Sequence, residues 1–218
     1  MYTEELIEDA QGDPTLLVNN DVRAAFADLI DAHALGQTSA GTVASQFNAS
    51  LRNTTSTVEY NAAAQDGLAL ALSSAINTIQ TNGYMPTAAI WAPDAGLSFR
   101  NARDTTGQPL YEGQSFGADP NTLPSIYGLE QRISTNLSTV GGAAAAGRVV
   151  GIVGDFTGAL LGVRSDIRVK FSDQATIDVA GVKHDLWQQN KVASLWEARV
   201  GFTVHDLNRR FVAITNAV

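Results

Sequence analysis

The chain has 218 residues, of which 44% are hydrophobic, 17% charged and 7% aromatic, with no cysteine and a formal net charge of −8. Such a length and apolar content are enough for a buried core, and the missing cysteine excludes disulfide scaffolds, cysteine nucleophiles and Cys-type zinc or iron–sulfur sites. No apolar run reaches the length of a membrane helix, the first residues are acidic where a secretory signal starts basic, and the negative balance opposes a grip on phosphates.

The acidity is concentrated at the front. Residues 1–36 carry eight acids and one base, residues 37–147 seven acids and four bases, and residues 148–218 seven acids and nine bases. A solvated helix face accounts for such a front segment, and so does an acidic surface that meets the basic end of a neighbouring copy. Thr3 before Glu4 and Glu5 reads as a capped helix start. Gly12-Asp13-Pro14 interrupts it, after which Val18, Val22, Phe26, Leu29, Ile30 and His33 recur at three- and four-residue steps toward a Gly36 cap. Residues 37–58, rich in Thr, Ser, Asn and Gln, predict extended or loop structure. A second helix is predicted over about 61–82, with Leu68, Leu72, Ile76 and Ile79 on one stripe and Gly83 beyond its end. Ala88-Ala89-Ile90-Trp91-Ala92 reads as a buried strand stopped by Pro93. Asp94 then caps a short helix bearing Leu97 and Phe99, with Arg100 and Arg103 near its negative end. Residues 104–124 are turn-rich and predict a long exposed loop.

The last third has the period of strands. Val163, Ser165, Ile167, Val169 and Phe171 alternate with charged residues, which predicts one buried face. Ile177 and Val179, then Ala180-Gly181, then Val182 predict a hairpin. Val192, Ser194, Trp196, Ala198, Val200, Phe202 and Val204 alternate through a strand of roughly 40 Å at about 3.3 Å per residue, longer than a compact sheet needs.

Catalytic patterns are sparse. His33, His184 and His205 lack ligand spacing, so no metal site is expected, and His33 falls on an apolar helix face. The run Gly151 to Gly158 lacks both the P-loop lysine and dinucleotide-site spacing, and reads as a tight turn leaving a strand. Asn48, Asn53 and Asn136 head glycosylation triplets that chance supplies in a chain rich in Asn, Ser and Thr. A small hydrolase would have to use Asp155 with His184 or His205, and no nucleophile elbow accompanies them.

Longer blocks say more. Val149 to Asp173 (VVGIVGDFTGALLGVRSDIRVKFSD), Asn190 to Asp206 (NKVASLWEARVGFTVHD) and Arg210 to Asn216 (RFVAITN) resemble the C-terminal portion of tailed-bacteriophage major capsid proteins with the Hong Kong 97-type fold. The opening helix ending at Gly36 is similar to that family's spine helix, and Ala88–Arg103 with Asp104–Tyr111 is similar to its strand, short helix and turn. The resemblance covers roughly 1–36 and 61–216. It implies an α+β fold: a long spine helix on an elongated antiparallel sheet, plus a compact central domain. Its parts are the spine helix and connecting segment of the peripheral domain (1–60), an axial domain (61–165), the long peripheral strands (166–202) and a return strand to the axial domain (203–218).

The resemblance also implies a function. The chain would be a subunit of an icosahedral phage or prophage capsid, forming hexamers and pentamers around double-stranded DNA without sequence-specific binding or membrane contact. Scaffolding segment, maturation protease and portal would be its assembly partners, the virion its destination and the bacterial cytoplasm its place of assembly; no enzyme activity and no cofactor are implied. A gene transfer agent or encapsulin-like nanocompartment shell is the alternative. The family usually sets an N-terminal arm and a long E-loop before the spine helix, and residues 37–58 lack its Gly-Pro-x-Gly turn. The chain therefore reads as a trimmed piece that forms closed shells poorly on its own. Some relatives join an E-loop Lys to an Asn of a neighbour with help from a Glu. Asn190, Glu197 and Arg199 match that spacing, but an offset of seven puts Asn190 and Glu197 on opposite faces of a regular strand, so they read as strand and interface residues.

Overall fold

A computed structural model of the protein describes residues 2–3, 14–36, 47, 49–60, 67–103, 106–108, 122–137 and 148–216. In chain order its elements begin with β1 (Tyr2–Thr3), α1 (Pro14–Leu35), β2 (Thr57–Tyr60), α2 (Gly67–Thr81), β3 (Ala88–Trp91), α3 (Pro93–Asn101), β4 (Thr122–Ile126) and β5 (Leu129–Ile133). They continue with β6 (Val149–Gly154), β7 (Ala159–Ser172), β8 (Thr176–Val179), β9 (Val182–Asp185), β10 (Lys191–Val204), α4 (Leu207–Arg210) and β11 (Phe211–Asn216). Contacts divide the chain into two units: unit 1 is Met1–Leu29 with Gly162–Gly201, and unit 2 is Ile30–Leu161 with Phe202–Val218.

Unit 2 buries apolar residues on both faces of a six-stranded sheet ordered β2-β11-β6-β3-β5-β4. The sheet is mixed: β11 runs parallel to β2 and β3 parallel to β5, while β6 is antiparallel to both β11 and β3. Helix α2 has the predicted stripe. Leu68, Leu72 and Ile79 enter one cluster with Trp91, Phe99, Val153 and Val212, and Ile76 packs at its margin. Leu35, Leu51, Val149, Ile152, Phe211 and Ala213 form the second cluster.

All six residues of β6 are buried, as its uninterrupted apolar run requires of a strand covered on both faces. The register against β11 shifts between Ile214 and Thr215. The extra residue on β6 breaks strict alternation, so Val150 and Val153, three apart, reach the same cluster. The glycines of this strand have a steric reason. A Cβ on Gly151 would collide with the Trp91 ring, and one on Gly154 with the Phe211 ring. The run is a platform for two aromatic side chains, and only its end, Phe156–Gly158, is the expected tight turn.

Several expectations change. Thr3 lies in β1, antiparallel to β10, and does not cap a helix; residues 4–13 fall outside the described residues. Pro14, where its missing N–H costs nothing, opens α1. Gly36 follows the helix at φ 80°, as a left-handed cap should. Leu29, expected on the apolar face of α1, is 52% exposed, as is Leu97 of α3 at 55%. Asp94 sits in the first turn of α3, whose N-cap is Ala92 with no side-chain cap. Within the two segments read as loops, β2 starts at Thr57 and β4 at Thr122; residues 37–46, 48, 104–105 and 109–121 lie outside the described residues.

Removing a buried side chain of α2 leaves a cavity under the sheet. Leu72→Ala should therefore cost about 2–5 kcal/mol, while Leu70→Ala on the exposed side should cost less than about 0.5 kcal/mol, read as paired denaturant midpoints at constant m-value.

Candidate assembly surface

Unit 1 contains a three-stranded sheet ordered β1-β10-β7 and the separate β8–β9 ribbon. Val163–Phe171 of β7 alternate, and so do Val192–Val204 of β10 apart from Leu195, so each long strand has two unlike faces. Lys170 Nζ lies 3.6 Å from Glu197 Oε2, which puts the even residues of β7 and the odd residues of β10 on one side. That side carries Arg164, Asp166, Arg168, Lys170, Glu197 and Arg199, with Ala193 and Leu195 beside them. The other side carries Val163, Ile167, Val169 and Phe171 beside Val192, Trp196, Ala198 and Val200.

The apolar side was expected to be buried. Instead Val163 is 56% exposed and Phe171 63%, and Ile167 is exposed as well. Both apolar clusters are built wholly from unit 2, and among the described residues of unit 1 only Leu186 and Ala193 are buried apolar side chains. Alternation puts these residues on one face, and on it Val163, Ile167 and Phe171 of β7 stay exposed while Val192, Trp196, Ala198 and Val200 of β10 are half-buried.

The β8–β9 hairpin turns at Ala180-Gly181, with φ of 53° and 85°, the geometry of a primed turn that follows the strand twist. The Gly181 N–H donates to Asp178 Oδ1 at 2.8 Å. Beyond it, Asn190 has φ 48° and its N–H donates to the Trp187 carbonyl, so it closes a turn before β10 and is not part of the strand. Strand-face parity therefore does not relate Asn190 to Glu197. A groove of about 290 Å³ is lined by Asp173, Leu186, Trp187, Asn190 and Lys191. Glu197 stays on the charged side: Arg199 Nε donates to it at 3.1 Å, and this bond, with the charges of Arg199 and then Lys170, holds its carboxyl below the usual range. A general base near neutral pH needs the opposite shift.

Unit 2 holds polar clasps that the sequence did not reveal. Arg148, 5% exposed, donates twice to Asp94, at 2.6 and 2.8 Å. Burial, then the Asp94 charge, raises the Tyr60 hydroxyl above its ordinary value, with Arg148 opposing. Asp155 accepts from Arg210 at 2.6 Å and from the Thr157 hydroxyl at 2.6 Å. The Arg210 guanidinium also stacks 4.2 Å from the centroid of Tyr84, whose hydroxyl donates to Asp206 at 2.7 Å. Asp155 is thus a structural acceptor that ties the end of β6 to the start of β11. His205 Nδ1 stands 3.6 Å from Asp206, and His184 Nδ1 lies 3.3 Å from Gln189 Oε1. The hydrolase set Asp155, His184 and His205 is thereby divided among unrelated partners. His33 meets Phe47 edge-on, with ring centroids 6.0 Å apart. Among the described residues no three His, Asp or Glu side chains are grouped as metal ligands, and no helix is long and apolar enough to cross a membrane.

Comparison with known families matches residues 1–214 to the Phage capsid family. The chain belongs to the phage capsid family. A capsid-family relative, the "Probable major capsid protein gp17" of Mycobacterium phage D29, is 31% identical over 121 residues, which are 54% of this chain and 36% of that protein. The chain thus spans about a third of that curated relative's length. Capsid-type neighbours among solved structures come from Gordonia phage Cozz (TM-score 0.74, 22% identity, 100% of this chain and 68% of that one) and Mycobacterium phage Adephagia (TM-score 0.74, 20% identity, 100% and 69%). A third, the "Capsid of native GTA particle computed with C5 symmetry", gives a TM-score of 0.67 at 18% identity over 99% of this chain and 70% of that one. The fold is the Hong Kong 97-type capsid fold, α+β as the sequence resemblance implies.

In this capsid-family chain the Tyr84–Asp206 bond makes a pH-dependent contribution. That bond, ahead of the His205 and arginine charges, lowers the Asp206 pKa from 3.8. Its stabilisation is present above 3.8 and is lost as pH falls through the lowered folded-state value. Asp206→Asn should be less stable than the parent at pH 7, and the gap should shrink as pH is taken below 3.8, measured by urea midpoints at both values.

Proposed function

We propose that this chain is a structural subunit of an icosahedral phage or prophage capsid, assembling into hexamers and pentamers that enclose double-stranded DNA. Family membership supports the reading, but the observation that carries it is the apolar face of β7 and β10. A sheet face with four exposed or half-covered apolar residues per strand is unfavourable in water, and a second copy removes it from water at a recurring interface. Closed symmetry then repeats each modest contact around the ring and across the shell. The six-stranded sheet of unit 2 supplies a body that keeps its shape while unit 1 is covered by neighbours. We assign unit 2 to the axial domain and the long strands of unit 1 to the peripheral domain.

The role is structural and non-enzymatic, in line with the capsid-protein name of the Mycobacterium phage D29 relative. A net charge of −8 suits a container for DNA, because a wall that gripped phosphates tightly would hinder both packaging and release. Scaffolding segment, maturation protease and portal are the partners such assembly needs, with the host cytoplasm as its site and the virion as its destination. The likeness to a gene transfer agent capsid favours one second reading, a shell of that particle type.

Negative-stain microscopy with size-exclusion chromatography tests the reading. Oligomers of five- or six-fold symmetry are expected, and Phe171→Ser should reduce them while leaving the thermal transition of unit 2 in place. A monomer at every concentration, both alone and together with capsid-assembly partners, would contradict it.

A further inference from the structure

The β8–β9 ribbon has no role in the account above. Among the described residues its two strands pair only with each other, and an isolated two-stranded hairpin is at best marginally stable in water. The register puts Ile177 opposite His184 and Val179 opposite Val182 on one face, and Thr176 opposite Asp185 and Asp178 opposite Lys183 on the other. The ribbon therefore has a polar face, on which opposite charges meet, and an apolar one. The apolar face is open to water where it reaches the turn: Val179 is 46% exposed and Val182 57%.

A ring of copies requires two unlike patches. About any axis above two-fold, each copy offers one patch to the neighbour on one side and a different patch to the neighbour on the other, whereas a single self-complementary patch closes on a pair of copies and stops. The exposed Val163, Ile167 and Phe171 of β7 supply one patch. Leu29, Leu70, Met85, Leu97 and Tyr127 are exposed as well, but each stands on a different element or loop, as scattered surface residues ordinarily do. Val179 and Val182 stand directly opposite each other and form a second patch. Both patches are exposed in the single copy, so neither covers the other there. Their dimensions suit each other across copies: Ile167 and Phe171 are about 13 Å apart along β7, which leaves room for two strands about 5 Å apart to cross between them.

We infer that the Val179 and Val182 face of the β8–β9 ribbon of one copy packs on Ile167 and Phe171 of β7 of a second copy. This inference rests on the proposed capsid-subunit function, and it names the two unlike patches from which a closed ring is built. The contact is apolar, so it should persist as salt rises, and it gives the ribbon the further layer that an isolated hairpin needs.

Sedimentation velocity of full-chain variants, alone and mixed, tests it in the condition where the parent associates. Val179→Lys with Val182→Lys removes the ribbon patch and Phe171→Ser the sheet patch, and each should raise the concentration for half-association by about tenfold or more. Val179→Thr with Val182→Thr keeps the strand preference of a β-branched pair and should shift it in the same direction, which separates a lost contact from a lost hairpin. Mixed in equal amounts, the lysine and serine variants hold one intact ribbon patch and one intact sheet patch between them, and should form a 1:1 pair that grows no further. Parent-like association of both ribbon variants, or no pair in the mixture, would overturn the inference while leaving the capsid reading intact. Loss of association in Trp187→Ala with the ribbon variants unaffected would assign the contact to the neighbouring groove and overturn it likewise. Absence of association in the parent, alone and together with capsid-assembly partners, would overturn both.

Discussion

Water contact with one apolar sheet face governs the rest of this molecule. β7 and β10 are each 14 residues long and alternate over Val163–Phe171 and, with Leu195 as the exception, Val192–Val204, yet unit 1 buries only Leu186 and Ala193 among its described apolar residues. A strand pair with a hydrophobic face is stable when something covers that face, and here Val163, Ile167 and Phe171 of β7 remain exposed. A single-copy account leaves Val163 and Phe171 in water, and a many-copy account does not. On the proposed capsid function, assembly is tied to the stability of the strands themselves.

Unit 2 meets the opposite requirement. Its sheet is covered on both faces, β6 has no exposed residue, and Gly151 and Gly154 let the Trp91 and Phe211 rings lie against the strand. Buried charges there are paired: Arg148 with Asp94, and Arg210 with Asp155. Such pairs add little net stability compared with apolar residues of the same size, but losing one partner strands a buried charge. The Arg210–Asp155 pair fixes where the chain leaving β10 re-enters the sheet as β11, and the Arg148–Asp94 pair ties the start of β6 to the first turn of α3. A body that holds its geometry and a second unit that waits for cover suit a subunit whose interfaces recur.

Much of this was legible in the residues, and the remainder has physical reasons. The α2 stripe of Leu68, Leu72 and Ile79, the Ala180-Gly181 turn and the long alternations are local patterns, and each appears where it was expected. Alternation tells which residues share a face and is silent on what covers that face, so Val163 and Phe171 were read as buried. The same reason explains Leu29 of α1. Asp155 and Arg210 are 55 residues apart, and Asp94 and Arg148 are 54 apart; no local spacing marks such pairs, and Asp94 looked like a cap for want of any other partner. Asn190 looked like a strand residue because its left-handed backbone has no signature beyond the tolerance of Asn for it. The family was legible from blocks such as VVGIVGDF and RFVAITN, which now occupy adjacent central strands of one sheet.

Hydrogen exchange on the dissociated and the assembled protein tests the central claim most directly, since local opening reports how well each element is held. Amides of β6 and β11 should be protected to the same extent in both states, and those of β7 and β10 between Gly162 and Gly201 should exchange freely in the dissociated chain and become protected on assembly. Equal protection of β7 and β10 in both states would contradict the claim that neighbours supply their cover.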